Sequence, residues 1–217
     1  MAFRLVCFDL DGTLIENITF IWQTLHERLG TDVDERVQAK ESFFAGKLSY
    51  HDWAVHDVGL WVRKGVTRDD VLQALSHLRL VSGARKTLEA LRERGIKLAI
   101  ISGSLDVALE SVLPDYQEIF DAVYINRLVF DGDNRLIGIT PTKYDFKHKA
   151  TALKQLAGRE GIPLAETVFI GDHQNDVEAA RMAGFSIAFN CRSDELRQTC
   201  DQVIEGKDIS VILKSFG

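Results

Sequence analysis

The segment Phe8-Asp9-Leu10-Asp11-Gly12-Thr13 sets two carboxylates two residues apart, directly after the apolar run Leu5-Val6-Cys7-Phe8. The run reads as a buried strand, and residues i and i+2 of a strand share a face. Asp9 and Asp11 are therefore expected to leave the strand end pointing the same way. Two like charges held that close need a cation, a proton or solvent between them. Three later segments carry complementary groups. Ser102, Gly103 and Ser104 follow the apolar run Leu98-Ala99-Ile100-Ile101. Lys147, His148 and Lys149 open an amphipathic stretch of helical periodicity. Asp172 and Asp176 follow the run Val168-Phe169-Ile170-Gly171. An acidic turn or a serine at a strand end is commonplace alone. Together they supply a nucleophile, a proton donor, a cation site and a fixed positive charge.

These groups need a scaffold that brings them to one place. From Ser82-Gly83 onward, helical and strand patterns alternate: a helix over 84–95 closed by Gly95, a strand over 97–102, a helix over 106–112 stopped near Pro114, and a strand at 123–125. A hairpin is expected where 128–130 and 136–139 flank the turn cluster Asp131-Gly132-Asp133-Asn134. A helix over 147–160, a strand over 168–171, a helix over 175–183 and a strand over 186–189 complete the series. Strands separated by helices of this length predict a parallel sheet covered on both faces, with ligand chemistry at the carboxyl ends of its strands.

Residues 16–80 have a different character. They hold all three tryptophans, Trp22, Trp53 and Trp61, four of the six histidines and no proline. Apolar residues recur at helical spacing at Ile18, Ile21, Trp22, Leu25 and Leu29, and again at Val71, Leu72, Leu75 and Leu78. Thr67-Arg68-Asp69-Asp70 has the form of a capping box. The stretch reads as an inserted bundle of about four helices whose aromatic residues either line a pocket or fill the bundle's own core, the latter being expected for at least two of the three tryptophans.

The 217 residues suit one domain with a sizeable insertion, and 46% hydrophobic residues suffice for a real core. A net charge of −6 gives no basic footprint for nucleic acid. No apolar run approaches the length of a membrane span, and Asp9 interrupts the first one too early for a secretory signal. Cys7, Cys191 and Cys200 show no metal-ligand spacing, so core packing in a reducing cytoplasm is expected.

The four segments, in this order, resemble the four motifs of the haloacid-dehalogenase-like (HAD) hydrolase superfamily, over nearly the whole chain. The resemblance implies an α/β, Rossmann-like core, residues 1–15 and 81–217, with an inserted all-α helical-bundle cap, residues 16–80, that closes over the site. It implies that Asp9 is the nucleophile and Asp11 the general acid and base. Ser102, the Gly103 N–H and Asn175 would hold phosphate oxygens. Lys149, with Leu153 four residues on, fits the family's lysine better than Lys147 does. Asp9, Asp172 and the backbone carbonyl of Asp11 would hold Mg²⁺. Asp176 is expected to orient Lys149, to reach the metal or to cap its helix. The carboxylate of Asp11 favours phosphoryl transfer over carbon–halogen cleavage, because dehalogenases of the fold do not use an acid there.

Within the superfamily the chain is most similar to phosphoserine phosphatases. Ala45-Gly46-Lys47-Leu48-Ser49, Asn126-Arg127-Leu128, Gly171-Asp172 with Asn175-Asp176, and Ala183 to Phe189 carry that similarity. The substrate-reading positions depart from it. Ile18 stands where the family has a glutamate for the serine ammonium, with Glu16 close by. A residue near Val55 stands where it has an arginine for the carboxylate, leaving Arg63 or a shifted helix to compensate. His173 and Ser104 each replace a glycine. The expectation is a Mg²⁺-dependent phosphatase for a small-molecule phosphate monoester, with phosphoserine as one candidate. The alternatives are a phosphotransferase or mutase of the same superfamily, or a non-catalytic phosphate- or metal-binding regulatory domain.

Overall fold

Four consecutive apolar residues leave β1 (Leu5–Phe8) without a polar face, and every position of it is buried in the middle of a seven-stranded sheet. The computed structural model describes residues 2–144 and 148–217. After β1 the chain forms β2 (Ile15–Glu16), α1 (Ile21–Arg28), α2 (Val33–Phe44), α3 (Tyr50–Arg63), α4 (Arg68–Ala74) and β3 (Arg79–Leu80). It continues through α5 (Ala84–Glu93), β4 (Lys97–Leu105), α6 (Asp106–Val112), α7 (Tyr116–Ile119), β5 (Ala122–Phe130) and β6 (Leu136–Thr140). It closes with α8 (Lys149–Arg159), β7 (Thr167–Gly171), α9 (Val177–Met182), β8 (Phe185–Phe189), α10 (Asp194–Thr199) and β9 (Gln202–Ile204).

The strand order is β6-β5-β4-β1-β7-β8-β9, parallel throughout except for the antiparallel β5–β6 hairpin. The chain steps outward from β1 through β4 and β5, then returns to the other side of β1 for β7, β8 and β9. The β1–β7 boundary is therefore the switch point of the sheet, where strand ends diverge and leave a crevice for ligands. Side chains of β1 divide with period two. Val6 and Phe8 join the core that contains Leu88 and Leu91 of α5. Leu5 and Cys7 join the core formed with Ala152, Leu153 and Leu156 of α8. Helices on both faces follow directly from that division.

The four helices α1–α4 occupy the stretch between the two strands of a small antiparallel pair, Ile15 opposite Leu80 and Glu16 opposite Arg79. Side chains cap the starts of α2, α3 and α4. The Asp32 side chain accepts from the amides of Asp34 and Glu35, and that of Ser49 from the Asp52 amide. Thr67 and Asp70 form the expected capping box. The hairpin β5–β6 supports this bundle from below: Leu136 N donates to Val66 O at 2.9 Å and Arg68 N to Asn134 O at 2.8 Å.

Several boundaries differ from the sequence expectation. β4 runs on to Leu105, with its register against β5 broken between Ile101 and Leu105. β5 is one strand over nine residues, where the sequence suggested two short runs. The helix expected over 175–183 begins as a 3₁₀ turn, Gln174–Asp176, before α9. Lys147 lies outside the described residues. Of the tryptophans, only Trp61 is wholly buried; Trp22 and Trp53 border a cavity. Among the described residues, no helix is long and apolar enough to cross a membrane.

Candidate active site

Asp9 is fixed where β1 ends, its amide donating to Ile170 O of the neighbouring β7 at 2.9 Å. Its Oδ1 lies 2.8 Å from Lys149 Nζ. Lys149 opens α8, and its side chain is completely buried. The ammonium also donates to Asp176 Oδ1 at 2.7 Å. The second oxygen of Asp176 accepts from the amides of Asp172 and His173, both at 3.0 Å. One carboxylate thus orients the lysine and shapes the loop that carries Asp172. Burial by itself would lower the lysine's pKa, but Asp176 and Asp9 outweigh it and hold the ammonium charged above its ordinary range.

Asp172 completes a cluster in which Asp9, Asp172 and Asp176 each offer an oxygen within 4.8 Å of the others. Its Oδ1 is buried and has no hydrogen-bond partner among the described residues. Burial, and then the charges of Asp9 and Asp176, push its pKa up to about 9. Arg192, 3.9 Å from Asp172 Oδ2, offsets only part of that. An all-oxygen, acid-rich set with an unpartnered carboxylate oxygen fits Mg²⁺, which takes few carboxylates and keeps waters. Two glycines permit the arrangement. Gly12 has φ +82°, and a Cβ there would lie 2.2 Å from Asp172 Oδ2. A Cβ on Gly171 would lie 2.4 Å from Asp176 Cγ.

The Asp11 carboxylate faces away from this cluster. Its Oδ1 accepts from the Ser104 hydroxyl at 2.6 Å, and its Oδ2 from Ile21 N at the start of α1 at 2.8 Å. Burial raises its pKa to about 7; the Asp9 charge adds to that, while the Ser104 and Ile21 hydrogen bonds oppose it. A carboxyl group poised there can hold and release a proton near neutral pH.

Ser102 is buried, its Oγ accepting from Ser104 N at 3.2 Å. Gly103 O accepts from Trp22 Nε1 at 2.9 Å and from Asn126 Nδ2 at 2.8 Å. Asn126 also donates to Ser104 O and to Tyr50 Oη, and its own Oδ1 accepts from Thr142 N. This amide bridges the Gly103 and Ser104 carbonyls inside the register break of β4. Asn175 carries a second buried oxygen without a partner among the described residues.

A cavity of about 820 Å³ lies over these groups. Asp9, Asp11, Ser102, Gly103, Asp172 and Asn175 border it, while Lys149, 2.8 Å from Asp9, and Asp176 are completely buried. Ser104, Asn126 and Arg192 were not assigned to the site from sequence. Ser104 was visible only as a departure from a family glycine, and Asn126 only as part of Asn126-Arg127-Leu128, a segment carrying the similarity to phosphoserine phosphatases. The expected compensation by Arg63 does not occur: Arg63 is exposed and pairs with Glu35 on the surface. Val55 is exposed as well, and Ile18 borders the cavity.

A family model described as haloacid dehalogenase-like hydrolase matches residues 3–184, and the chain belongs to that family. It is phosphoserine-phosphatase-like within the family, an enzyme of the phosphoric monoester hydrolase class. It is 30% identical over 212 residues to the phosphoserine phosphatase of Methanocaldococcus jannaschii, covering 97% of this chain and 96% of that one. It also matches a longer Mycobacterium tuberculosis phosphoserine phosphatase at 29% identity, spanning half of that protein's length. Among solved structures, a substrate-bound phosphoserine phosphatase complex matches with a TM-score of 0.76 at 27% identity, over the full length of both chains. A phospho-aspartyl intermediate analogue of phosphoserine phosphatase matches with a TM-score of 0.74 at 28% identity, again over both full lengths.

Proposed function

We propose that the chain is a Mg²⁺-dependent phosphatase that hydrolyses a small-molecule phosphate monoester through an aspartyl-phosphate on Asp9. The observation that carries this reading is the completely buried Lys149, bound by both Asp9 and Asp176. Binding a phosphate requires no carboxylate aimed at it, whereas a carboxylate nucleophile beside a fixed ammonium serves phosphoryl transfer.

In this reading an Asp9 oxygen attacks phosphorus as the bond to the leaving alcohol breaks. Asp11 gives its proton to that alcohol's oxygen. Asp11 then takes a proton from the water that attacks the phosphorus of the aspartyl ester, restoring Asp9 and releasing inorganic phosphate. Ser102, the Gly103 amide, Asn175 and Lys149 hold the phosphoryl oxygens, and Ser104 keeps Asp11 oriented. Asp9, Asp172 and the backbone of Asp11 would hold the metal, which screens the charge of the phosphate from Asp9 when bound. Asp176 acts by positioning Lys149.

Residues 1–15 and 81–217 form the catalytic core and 16–80 the cap, with the Ile15–Glu16 and Arg79–Leu80 pair as the double crossing between them. Phosphoserine is the first substrate to test, because the relatives named above are phosphoserine phosphatases. We place the enzyme in the cytoplasm, where its three unpaired cysteines would stay reduced.

The test is phosphate release from phosphoserine, other small monophosphates and an activated aryl phosphate, with and without Mg²⁺, beside Asp9→Asn. Metal-dependent release lost by at least about 10³-fold in Asp9→Asn is expected. No release from any substrate, the aryl phosphate included, would favour a binding domain instead.

A further inference from the structure

Five aromatic side chains from the cap, Phe20, Trp22, Phe44, Tyr50 and Trp53, border the cavity. Phe20 and Phe44 are 40% and 58% exposed, and the other three are half-buried. Single exposed rings are ordinary on a protein surface, but several around one cavity are the lining of a ligand site. Both indoles show the cavity carbon rather than nitrogen. Trp22 Nε1 is taken by Gly103 O at 2.9 Å, and Trp53 Nε1 is buried. The rings are also braced from behind. Trp61, wholly buried, stacks on Trp22 with centroids 5.8 Å apart, and Phe43 stacks on Trp53 at 4.6 Å. An apolar wall held in place before a ligand arrives loses little entropy on binding it.

The size of the cavity is not that of a cap standing open. Ile21 N donates to Asp11 Oδ2 at 2.8 Å, Arg192 Nη1 to Thr19 Oγ1 at 2.6 Å and Asn126 Nδ2 to Tyr50 Oη at 2.9 Å, and with the Trp22–Gly103 bond they seat the cap on the core. About 820 Å³ remains, a space that suits a drug-sized ligand and far exceeds a leaving group as small as serine. Charge does not set the cap wall apart, since Glu27 and Asp57 there balance Arg36 and Lys40. Aromatic surface does.

We propose that the leaving alcohol is bulky and carries a planar ring, which packs against Trp22, Trp53 and Phe44. This rests on the phosphatase reading above and narrows its substrate class. A small polar alcohol would occupy the core end and leave the rings against water. A flat ring covers them and adds ring–ring contact to the area it buries. The three residues are specificity residues in this scheme and take no part in the chemical step.

The experiment compares kcat/KM for ethyl, benzyl and naphthylmethyl phosphates, whose leaving groups are all primary alcohols, beside phosphoserine and the saturated decalinylmethyl phosphate. Wild type is expected to prefer naphthylmethyl over ethyl phosphate by about 10- to 100-fold, the scale of burying a large apolar side chain. It should prefer the flat ring over the saturated one of similar size by about 2- to 10-fold. Phe44→Ala, at an exposed position, and Trp53→Leu should each shrink the naphthylmethyl-to-ethyl ratio several-fold, mainly through KM. Equal losses on both substrates, equal turnover of the flat and saturated rings, or a wild-type preference for phosphoserine over every ring-bearing ester would overturn the proposal and leave the phosphatase reading standing. No release from any of these, nor from an activated aryl phosphate, would overturn that reading and this proposal with it.

Discussion

The indole N–H of Trp61 donates to His26 Nδ1 at 3.2 Å, which fixes the ring's proton on the other nitrogen. An indole nitrogen is a donor only, so Nδ1 must be unprotonated to receive it. Nε2 then carries the hydrogen and faces Asp57 Oδ2 at 3.0 Å. His26 is thereby held neutral, and its pKa is lowered chiefly by burial, with Asp57 opposing and Arg36 and His56 adding to the lowering. The unfolded chain, with the ordinary histidine value of about 6.5, takes up the proton first as pH falls. Stability from His26 is therefore present above about pH 6.5 and is lost below it, by up to roughly 1.4 kcal/mol per pH unit. Urea denaturation between pH 8 and 5 on wild type and His26→Gln isolates this group. The wild-type curve should fall more steeply on the acid side than the variant's; parallel curves would show that His26 does not titrate with folding.

Lys149 is the counter-charge for two buried carboxylates at once. Lys149→Met keeps much of the volume and leaves Asp9 and Asp176 unbalanced, which is expected to cost about 3–5 kcal/mol of stability. It should also reduce turnover by on the order of 10²–10³-fold. The diagnostic is a double-mutant cycle with Asp176→Asn, read by denaturant midpoints. Asp176→Asn should be markedly less costly in the Lys149→Met background than in wild type. Additive costs would mean that the pair contributes through packing alone.

Asp172 sets up an opposed pair of outcomes. With one carboxylate oxygen unpartnered beside two other acids, its charge is a burden until a cation is present. Asp172→Asn should therefore leave the metal-free protein at least as stable as wild type. Mg²⁺ at 100 times its Kd contributes about 2.7 kcal/mol, which for a chain of this size raises Tm by roughly 5–10 °C. That rise should appear in wild type and vanish in Asp172→Asn. Thermal melts in chelator and across a Mg²⁺ titration read both arms, and an unchanged Mg²⁺ response in the variant would place the metal elsewhere.

The parts of the site that were legible in the sequence share one property: each lies where a short apolar run ends. Asp9 and Asp172 stand just beyond the ends of β1 and β7, Ser102 follows the apolar stretch Leu98–Ile101 inside β4, and the alternation of helix and strand was enough to bring those strands together. What was not legible depends on contacts across the fold. Ser104 reaches Asp11 across 93 positions and Trp22 reaches Gly103 across 81, and no local pattern announces either bond. The break in β4 is bridged by Asn126, which belongs to a different strand. At least two of Trp22, Trp53 and Trp61 were expected to fill the bundle's own core, yet only Trp61 is wholly buried; the others border a cavity that exists only once the helices pack over the sheet.

Gly12 offers a direct test of how tightly the loop after β1 and the acid cluster are joined. Both Gly12 and Gly46 adopt positive φ, +82° and +71°, so alanine at either meets the same backbone penalty of about 1–2 kcal/mol. Their surroundings differ. A Cβ on Gly46 would have nothing within 4 Å, whereas one on Gly12 would lie 2.2 Å from Asp172 Oδ2. Asp172 cannot retreat freely, because the amides on either side of its carbonyl are tied: Asp172 N and His173 N donate to Asp176. Gly46→Ala should accordingly lose only the backbone increment, keeping its Mg²⁺-induced rise in Tm and its turnover. Gly12→Ala should lose more stability, and with it the Mg²⁺ response and phosphate release. Denaturant midpoints and Mg²⁺ melts on the two variants side by side decide the matter. A Gly12→Ala protein that still responds to Mg²⁺ as wild type does would show that Asp172 has room to move, and that the metal does not depend on the position this structure gives it.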